Sequence, residues 1–372
     1  MSKITNLVKL ISVGVRNEYH HIAVKPLNAL AYLTYRCTSR CKTCNIWKRA
    51  KDNSGEISKE DWLAVLTKLK SSGIKSFEIY GGDALLRKDA IFDVIQFCSN
   101  NGIHTHFPTN GNLCDKGTVK NLIRSGLYTV YLSIDDVGSE HDTIRGVDGT
   151  FNRVREALEM FLNMRGTNKY PMIVVCTTLS NMNYRNFYEL VEFLERYNID
   201  AIYPRIVGEF KSDNINDSII DGITPEPNYA SSDEQSHLFG KEELEELRKD
   251  INKIKSINYK TYIDFRPLIV AKDKSFLYGD YDFRKCHIAT TLITVTPNGD
   301  VTPCPFYPSY KIGNLLSHNL NGIWGNSRHK KFIRLQQNKQ ISICKNCNLR
   351  IYYPSIWDTF HWEWRKVLNF SI

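Results

Sequence analysis

No stretch of this 372-residue sequence is apolar for long enough to cross a bilayer, since a spanning helix needs about 20 such residues. A secretory signal is missing too: residues 4–15 are apolar, but Asn6 and Lys9 interrupt them and no small-residue cleavage site follows. A cytoplasmic protein is expected. Ile4, Leu7, Val8, Ile11 and Val15 would share one face of an N-terminal helix. Covering the bottom of the main domain suits that face better than membrane contact does. Concentrated basic runs are also lacking. The 49 Lys and Arg outnumber the 40 Asp and Glu by enough to give +9, but they are scattered and stand beside no nucleic-acid motif. The surplus reads as a solvated surface, with an anionic substrate, an acidic redox partner or a membrane surface as the sharper readings, and nucleic acid is not expected.

Cysteine, by contrast, is plentiful: there are 10, and most fall in two groups. In a reducing compartment, grouped cysteines read as metal ligands before disulfides. Around them the chain alternates strand-period and helix-period stretches, which marks an α/β protein. Strands are predicted at Ala29–Tyr35, Ser76–Tyr80, His104–Phe107, Thr129–Ile134, Met172–Thr178 and Ala201–Val207. Between them lie apolar helix stripes: Trp62, Leu66 and Leu69; Ile91, Ile95 and Cys98; Val154, Leu158 and Phe161; Phe187, Leu190, Val191 and Leu194. Six βα units in series imply a parallel sheet with right-handed crossovers, either curled into a barrel or left open. In a barrel, chemistry sits at the C-terminal ends of the strands.

Beyond the sixth strand the pattern changes. Residues 208–240 are polar and read as an insertion or lid, and a helix is expected over Lys241–Ile257. Leu292–Val295 and Val301–Pro303 flank Pro297-Asn298-Gly299-Asp300 as a hairpin, and a helix near Ile323–Leu335 leads to a last cysteine pair. The expected organisation is an N-terminal helical extension (1–28), a main domain (29–270), a small α+β domain (271–350) and an aromatic-rich C-terminal segment (351–372).

Cys37, Cys41 and Cys44 form C-x3-C-x2-C directly after the first strand. Three thiolates on one short loop hold three corners of an iron–sulfur cube and leave the fourth iron open to another ligand. The competing reading is a zinc knuckle completed by His20 or His21, although zinc prefers C-x2-C pairs. The motif resembles the signature of the radical S-adenosylmethionine (radical SAM) superfamily, and the resemblance extends from about Ala29 to Val207. It implies a partial (βα)6 TIM-like barrel in which a three-cysteine 4Fe-4S cluster binds S-adenosylmethionine (SAM). Reductive cleavage of SAM would give a 5′-deoxyadenosyl radical that abstracts hydrogen from a substrate, with electrons from a donor such as flavodoxin or ferredoxin.

Further motifs follow in the family's order. Gly81-Gly82-Asp83-Ala84 resembles its GGEP turn, where glycines allow close approach to the ligand and the acid receives the SAM amine. Asp83 stands here for Glu and Ala84 for Pro, so the acid's reach is shorter. Thr109-Asn110-Gly111 closes the third strand, and Ser133 and Asp135 close the fourth, as ribose or methionine contacts. Arg145, in His141-Asp142-x-x-Arg145-Gly146, is a candidate for the methionine carboxylate. Thr178, with Thr177 and Asn183, ends the fifth strand as a weaker candidate. Thr43 occupies a position commonly aromatic in the family, and Ile46 or Trp47 would supply the adenine surface instead.

Cys286, Cys304, Cys344 and Cys347 form the second group, with Gly299 on the hairpin. They resemble the SPASM domain, or its shorter twitch form, and imply a second, auxiliary 4Fe-4S cluster held by four cysteines. A structural zinc ribbon is the other reading. Of the remaining cysteines, Cys98 is expected in the core, while Cys114 or Cys176 would be the place to look for a hydrogen donor to a product radical.

Relatives of this kind oxidise alcohols in sugar-like molecules or modify peptides. Only 28 residues precede the first strand, which is short for a peptide-binding domain, so the expectation tilts to a small polar substrate with a peptide maturase as the alternative. Arg205 and the loop 208–240 are candidate substrate contacts. From another class, a zinc-stabilised or electron-transfer protein without SAM chemistry stays open. Catalytic acid–base residues and oligomeric state are not legible.

Overall fold

The computed structural model describes residues 26–231, 236–282 and 286–349. The expected N-terminal helix, the alternative ligands His20 and His21, and the aromatic C-terminal segment lie outside the described residues.

Six parallel strands build the centre: β1 (Asn28–Thr34), β2 (Ser76–Gly81), β3 (His104–Thr109), β4 (Thr129–Ser133), β5 (Met172–Leu179) and β6 (Ala201–Ile206), hydrogen-bonded in that order. The outer helices are α1 (Lys59–Ser71), α2 (Lys88–Asn100), α3 (Lys116–Arg124), α4 (Ser139–Arg145), α5 (Thr150–Arg165) and α6 (Phe187–Glu195). Each of the main ones turns its apolar stripe inward. Trp62, Leu66 and Leu69 are fully buried, as are Val154, Leu158 and Phe161, and Phe187, Leu190, Val191 and Leu194. Each such side chain contributes about 1.5–3 kcal/mol on burial. Cys98 is buried on α2 as expected.

Helix starts are fixed locally. Ser58 caps α1 in a capping box with Asp61, and the Asp115 carboxylate accepts from Thr118 N at 2.7 Å to start α3.

The sheet does not close between β1 and β6. β1 pairs in parallel with β10 (Leu292–Val295), while β6 pairs in parallel with β9 (Tyr262–Ile263). Side chains from all six central strands nevertheless line one cavity, so the sheet is curled into a partial barrel. β10 continues through the predicted turn into antiparallel β11 (Asp300–Thr302) and then β12 (Gly313–Asn314). The small α+β segment is thus an extension of the barrel sheet across its open edge.

Two expectations change. The helix predicted near Ile323–Leu335 is split into Leu320–Ile323 and α8 (Ser327–Gln337, with α7 being Lys241–Ser256), because Asn326 caps a new start through His329 N at 2.9 Å. The polar stretch from 208 is not a loose lid over its described part. It forms β7 (Phe210–Lys211), a short helix (Ser212–Asn216) and β8 (Ala230–Ser231). Tyr307 Oη donates to Ser218 O at 2.7 Å, Ile343 N donates to Ser218 Oγ at 2.8 Å, and Asn214 Nδ2 donates to Asn346 Oδ1 at 2.6 Å. Its polar side chains serve as a bracket for the described stretch 307–346.

Candidate active site

The loop after β1 is fastened from three sides. At its root, Glu56 accepts from Thr34 Oγ1 at 2.5 Å and pairs with Arg36 at 2.9 Å and Arg87 at 3.4 Å. Gly82 N donates to Thr34 O at 3.0 Å and Asp83 N to Arg36 O at 2.8 Å, so the turn after β2 clamps the loop base. From the third side, Arg40 N and Lys42 N donate to Arg145 O and Ile144 O at 2.9 and 3.0 Å. This gives the glycines a reason other than ligand clearance. A Cβ on Gly82 would lie 2.1 Å from Arg36 O, and one on Gly81 2.3 Å from Thr34 O. The turn is glycine because the cysteine loop's own backbone occupies that space.

Cys37, Cys41 and Cys44 line a cavity of about 670 Å³. Gly81, Gly82, Asn110, Ser133, Asp135, Arg145 and Thr178 line it too, as do Thr43, Ile46, Trp47 and Arg205. Most of the residues singled out around the first cysteine group therefore share its wall, while Thr177 and Asn183 do not line it. Neither does Asp83, which is buried. Thr38 Oγ1 donates to its Oδ2 at 2.6 Å and Leu85 N to its Oδ1 at 3.2 Å, and burial raises its pKa. Shorter than Glu, the side chain ends on the cysteine loop.

Asp135 and Arg145 also differ from their expected separate contacts. They pair with each other at 2.8 Å, both largely buried, and Asp135 Oδ1 accepts from Thr178 N at 2.8 Å. Arg145 reaches on to Cys41 Sγ at 3.9 Å, and its Nε is buried with no partner. His141 Nδ1 accepts from Asp135 N at 3.2 Å, and burial depresses the imidazole pKa to about 3, with Arg145 adding to the effect. The ring is neutral and acts as an acceptor. Asn183 Nδ2 donates to Asp135 O at 2.7 Å and Thr178 O at 3.0 Å, tying β4 to β5.

The motif reading missed Thr38, Ser39 and Asn112, which together with Asn110 join these parts. Asn110 Nδ2 lies 3.0 Å from Thr38 Oγ1 and from Ser39 Oγ and 4.0 Å from Cys37 Sγ; Asn112 Nδ2 reaches both hydroxyls at 3.2 Å. The hydroxyls of Thr38 and Ser39 inside the cysteine loop were the available signal.

The second group sits behind the cavity. The thiols of Cys304 and Cys344 are pushed far up by burial and then by neighbouring cysteines of the same group. Gln336 Oε1 accepts from Cys286 N at 3.1 Å. Pro305 and Asn348, next in sequence to Cys304 and Cys347, line the cavity, so it extends from one cysteine group toward the other. Cys176 lines it as well, whereas Cys114 is buried against Thr109.

The donor chemistry fits iron–sulfur clusters. None of these cysteines is disulfide-bonded. Burial raises the Cys37 and Cys44 thiols to about 12 and 11, so a cationic centre is needed to hold them as thiolates. Among the described residues no three Cys, His, Asp or Glu side chains form a site for a single ion; a four-iron cube takes its thiolates at separate corners.

Comparison with known families is decisive. Residues 31–194 match the model of the radical SAM superfamily. The chain therefore carries a radical SAM domain over these residues. Residues 286–348 match the SPASM iron–sulfur cluster-binding domain, so the chain carries both domains. Among curated relatives, the PqqA peptide cyclase of Methylocella silvestris is 29% identical over 131 residues, 35% of either chain. The Fe-coproporphyrin III synthase of Methanosarcina barkeri is 29% identical over 126 residues, 34% of this chain and 31% of that protein. The alignments thus span about a third of the curated relatives' length. Among solved structures, Streptococcus suis SuiB bound to precursor peptide SuiA has a TM-score of 0.61 at 19% identity, covering 95% of this chain and 78% of that one. anSMEcpe with bound AdoMet and Cp18Cys peptide has a TM-score of 0.62 at 17% identity, covering 92% and 96%. These similarities are of fold. No helix among the described residues is long and apolar enough to cross a membrane.

Proposed function

We propose that this radical SAM enzyme is a peptide maturase, installing an oxidative bond in a peptide substrate. The observation carrying this reading is the peptide cyclase among its curated relatives. It favours a peptide over the sugar-like molecule suggested by the short segment before the first strand. Cys37, Cys41 and Cys44 would hold the SAM-binding cluster, and Cys286, Cys304, Cys344 and Cys347 would hold the auxiliary one. When bound, the first cluster and SAM supply a 5′-deoxyadenosyl radical for hydrogen abstraction, and the second cluster supplies an electron acceptor.

The chain's own residues position and enclose. Gly81, Gly82, Asn110, Ser133 and Thr178 form the polar wall for SAM. Ile46 and Trp47 offer apolar surface to its adenine. The Asp135–Arg145 pair sets the height of the cysteine loop against β4 and β5, and Arg145 Nε remains to meet a carboxylate. Asp83 receives the SAM amine only by exchanging its bond to Thr38. The stretch 286–349, through Ile288, Pro305, Phe306 and Leu349, closes the barrel's open side and excludes water. The working compartment is the reducing cytoplasm, with a flavodoxin or ferredoxin as reductant.

The test is anaerobic incubation of reconstituted protein with SAM, dithionite and pooled peptides, read by mass spectrometry. Peptides losing two hydrogens as 5′-deoxyadenosine accumulates support the reading. 5′-Deoxyadenosine formation stimulated by sugars or cyclitols and by no peptide would overturn it.

A further inference from the structure

Below the residues assigned to SAM, the cavity continues toward the N-terminal ends of the strands. Glu78 on β2, His106 on β3, Tyr131 on β4, Cys176 on β5 and Tyr203 on β6 line it there. Glu78, His106, Tyr131 and Cys176 each stand earlier on their strands than the SAM candidate of the same strand or its loop, and Tyr203 stands two residues before Arg205. The register sets Glu78 directly beside His106, and Cys176 beside Tyr203. No cofactor role above uses any of them.

Glu78 is the anomaly. A carboxylate inside a barrel is costly unless it is paired, yet among the described residues Glu78 has no hydrogen bond and no cation. Burial alone raises its pKa to about 7. Of the two arginines that line the cavity, Arg145 pairs with Asp135 at 2.8 Å, and Arg205 is directed to Asp264 at 3.3 Å and lies 5.0 Å over the Tyr203 ring. The other neighbours are neutral. Burial depresses His106 to about 4 and raises Cys176 to about 12 and the Tyr131 and Tyr203 phenols above their ordinary range. His106 Nδ1 is itself buried without a partner.

The rings form a continuous wall. His106 stacks on Tyr131 with centroids 6.1 Å apart, and Tyr131 meets Tyr203 at 6.1 Å. One uncompensated carboxylate framed by aromatic faces is the chemistry that takes up an organic cation, by ion pairing and cation–π attraction together.

We propose that this end of the cavity is a substrate subsite for an alkyl-borne cation, an ammonium or guanidinium, with Glu78 as its counter-ion and Tyr131 and His106 as its walls. Resting on the maturase reading, the occupant is a lysine or arginine side chain of the peptide. The subsite selects substrate and takes no part in SAM cleavage.

The test uses holoenzyme with SAM bound. Ligand-observed NMR gives dissociation constants for n-butylammonium, n-butylguanidinium and, as the neutral control, n-butanol. Both cations are expected to bind, and Glu78→Gln to weaken them about tenfold or more, with n-butanol unaffected. Iron content and circular dichroism report folding of the variant. Should Glu78→Gln not fold, Glu78→Asp, which keeps the charge but retracts it, is expected to weaken both cations while leaving n-butanol unchanged. Cations that bind no better than n-butanol, or bind all variants equally, would overturn the subsite.

Peptide pools with and without lysine and arginine then separate the two readings. Turnover indifferent to basic residues removes the subsite and leaves the maturase. Cation binding that depends on Glu78, with no peptide modified in any pool, leaves the subsite and removes the maturase.

Discussion

Arg145 and Asp135 meet at 2.8 Å in the interior, on α4 and at the end of β4, and this pair couples the cysteine loop to the barrel. Asp135 is held by Thr178 N on one oxygen and Arg145 on the other, while Arg145 leans toward Cys41 Sγ. Removing one member leaves a buried charge alone, which costs about 3–5 kcal/mol. Arg145→Met and Asp135→Asn are therefore each expected to be strongly destabilising. The double variant should recover part of the loss, so that a double-mutant cycle in anaerobic denaturation gives a coupling above about 1 kcal/mol. Additive losses would mean that the two side chains act separately.

The same corner makes a pH prediction. His141 accepts from Asp135 N and its pKa is about 3 in the folded chain, against an ordinary value of 6.5. Between these values the unfolded chain binds the extra proton, so stability falls as pH falls from 6.5 toward 3. From pH 7 to pH 5 the loss from this residue is about 2 kcal/mol. His141→Asn keeps an acceptor and does not titrate, so its stability should decline less over that range. Parallel pH profiles for the two proteins would exclude His141 as the cause.

How much of this was readable depends on what each residue answers to. The strands and helix faces followed from periodicity, which reports only inside or outside, and Phe187, Leu190, Val191 and Leu194 on α6 are buried as their spacing demands. The cavity wall followed from motif order along the strands, because the βα units bring every strand's end to one face. What the sequence concealed is pairing. Nothing in the spacing of Asp135 and Arg145 says that they neutralise each other, and nothing near Asp83 says that Thr38 takes its carboxylate. The polar stretch after β6 resembled a solvated loop because its Asn and Ser partners come from Tyr307, Ile343 and Asn346, more than a hundred residues on in the case of Asn214 and Asn346. Glu78 was hidden in a strand whose other inward residues carry no charge.

Thr38 is the junction of the cysteine loop with β2 and β3. It donates to Asp83 at 2.6 Å and lies within hydrogen-bond distance of both Asn110 and Asn112. Thr38→Val keeps the shape and strands three polar groups, at about 1–3 kcal/mol each where they are buried. Equilibrium dialysis should show SAM affinity reduced about tenfold or more. Thr38→Ser should restore it. If Thr38→Val binds SAM like the wild type, the hydroxyl is not what orders the site.

Metal content separates the two cysteine groups. Wild-type protein reconstituted anaerobically should hold about eight Fe in two four-iron clusters, and both Cys41→Ala and Cys344→Ala about four. Cys41→Ala is expected to lose 5′-deoxyadenosine formation completely. Cys344→Ala should retain SAM cleavage while losing the final product, since Cys344 belongs to the second cysteine group and not to the loop after β1 that would bind SAM. Four Fe with one Zn in the wild type would assign zinc to the C-terminal group and remove the auxiliary electron acceptor.

Gly82 tests whether backbone packing or ligand clearance fixes the turn after β2. An alanine Cβ there would lie 2.1 Å from Arg36 O and 2.7 Å from Tyr35 O, and neither is the movable end of a side chain. The base of the cysteine loop must therefore shift, moving Cys37 with it. Gly82→Ala should lower iron incorporation into the first cluster before any SAM is added, with the auxiliary cluster intact. Gly322→Ala is the control, because a Cβ there meets nothing within 4 Å. A Gly82→Ala protein with full iron content and impaired SAM binding alone would instead assign the glycine to the ligand, since a packing fault acts on the loop whether or not SAM is present.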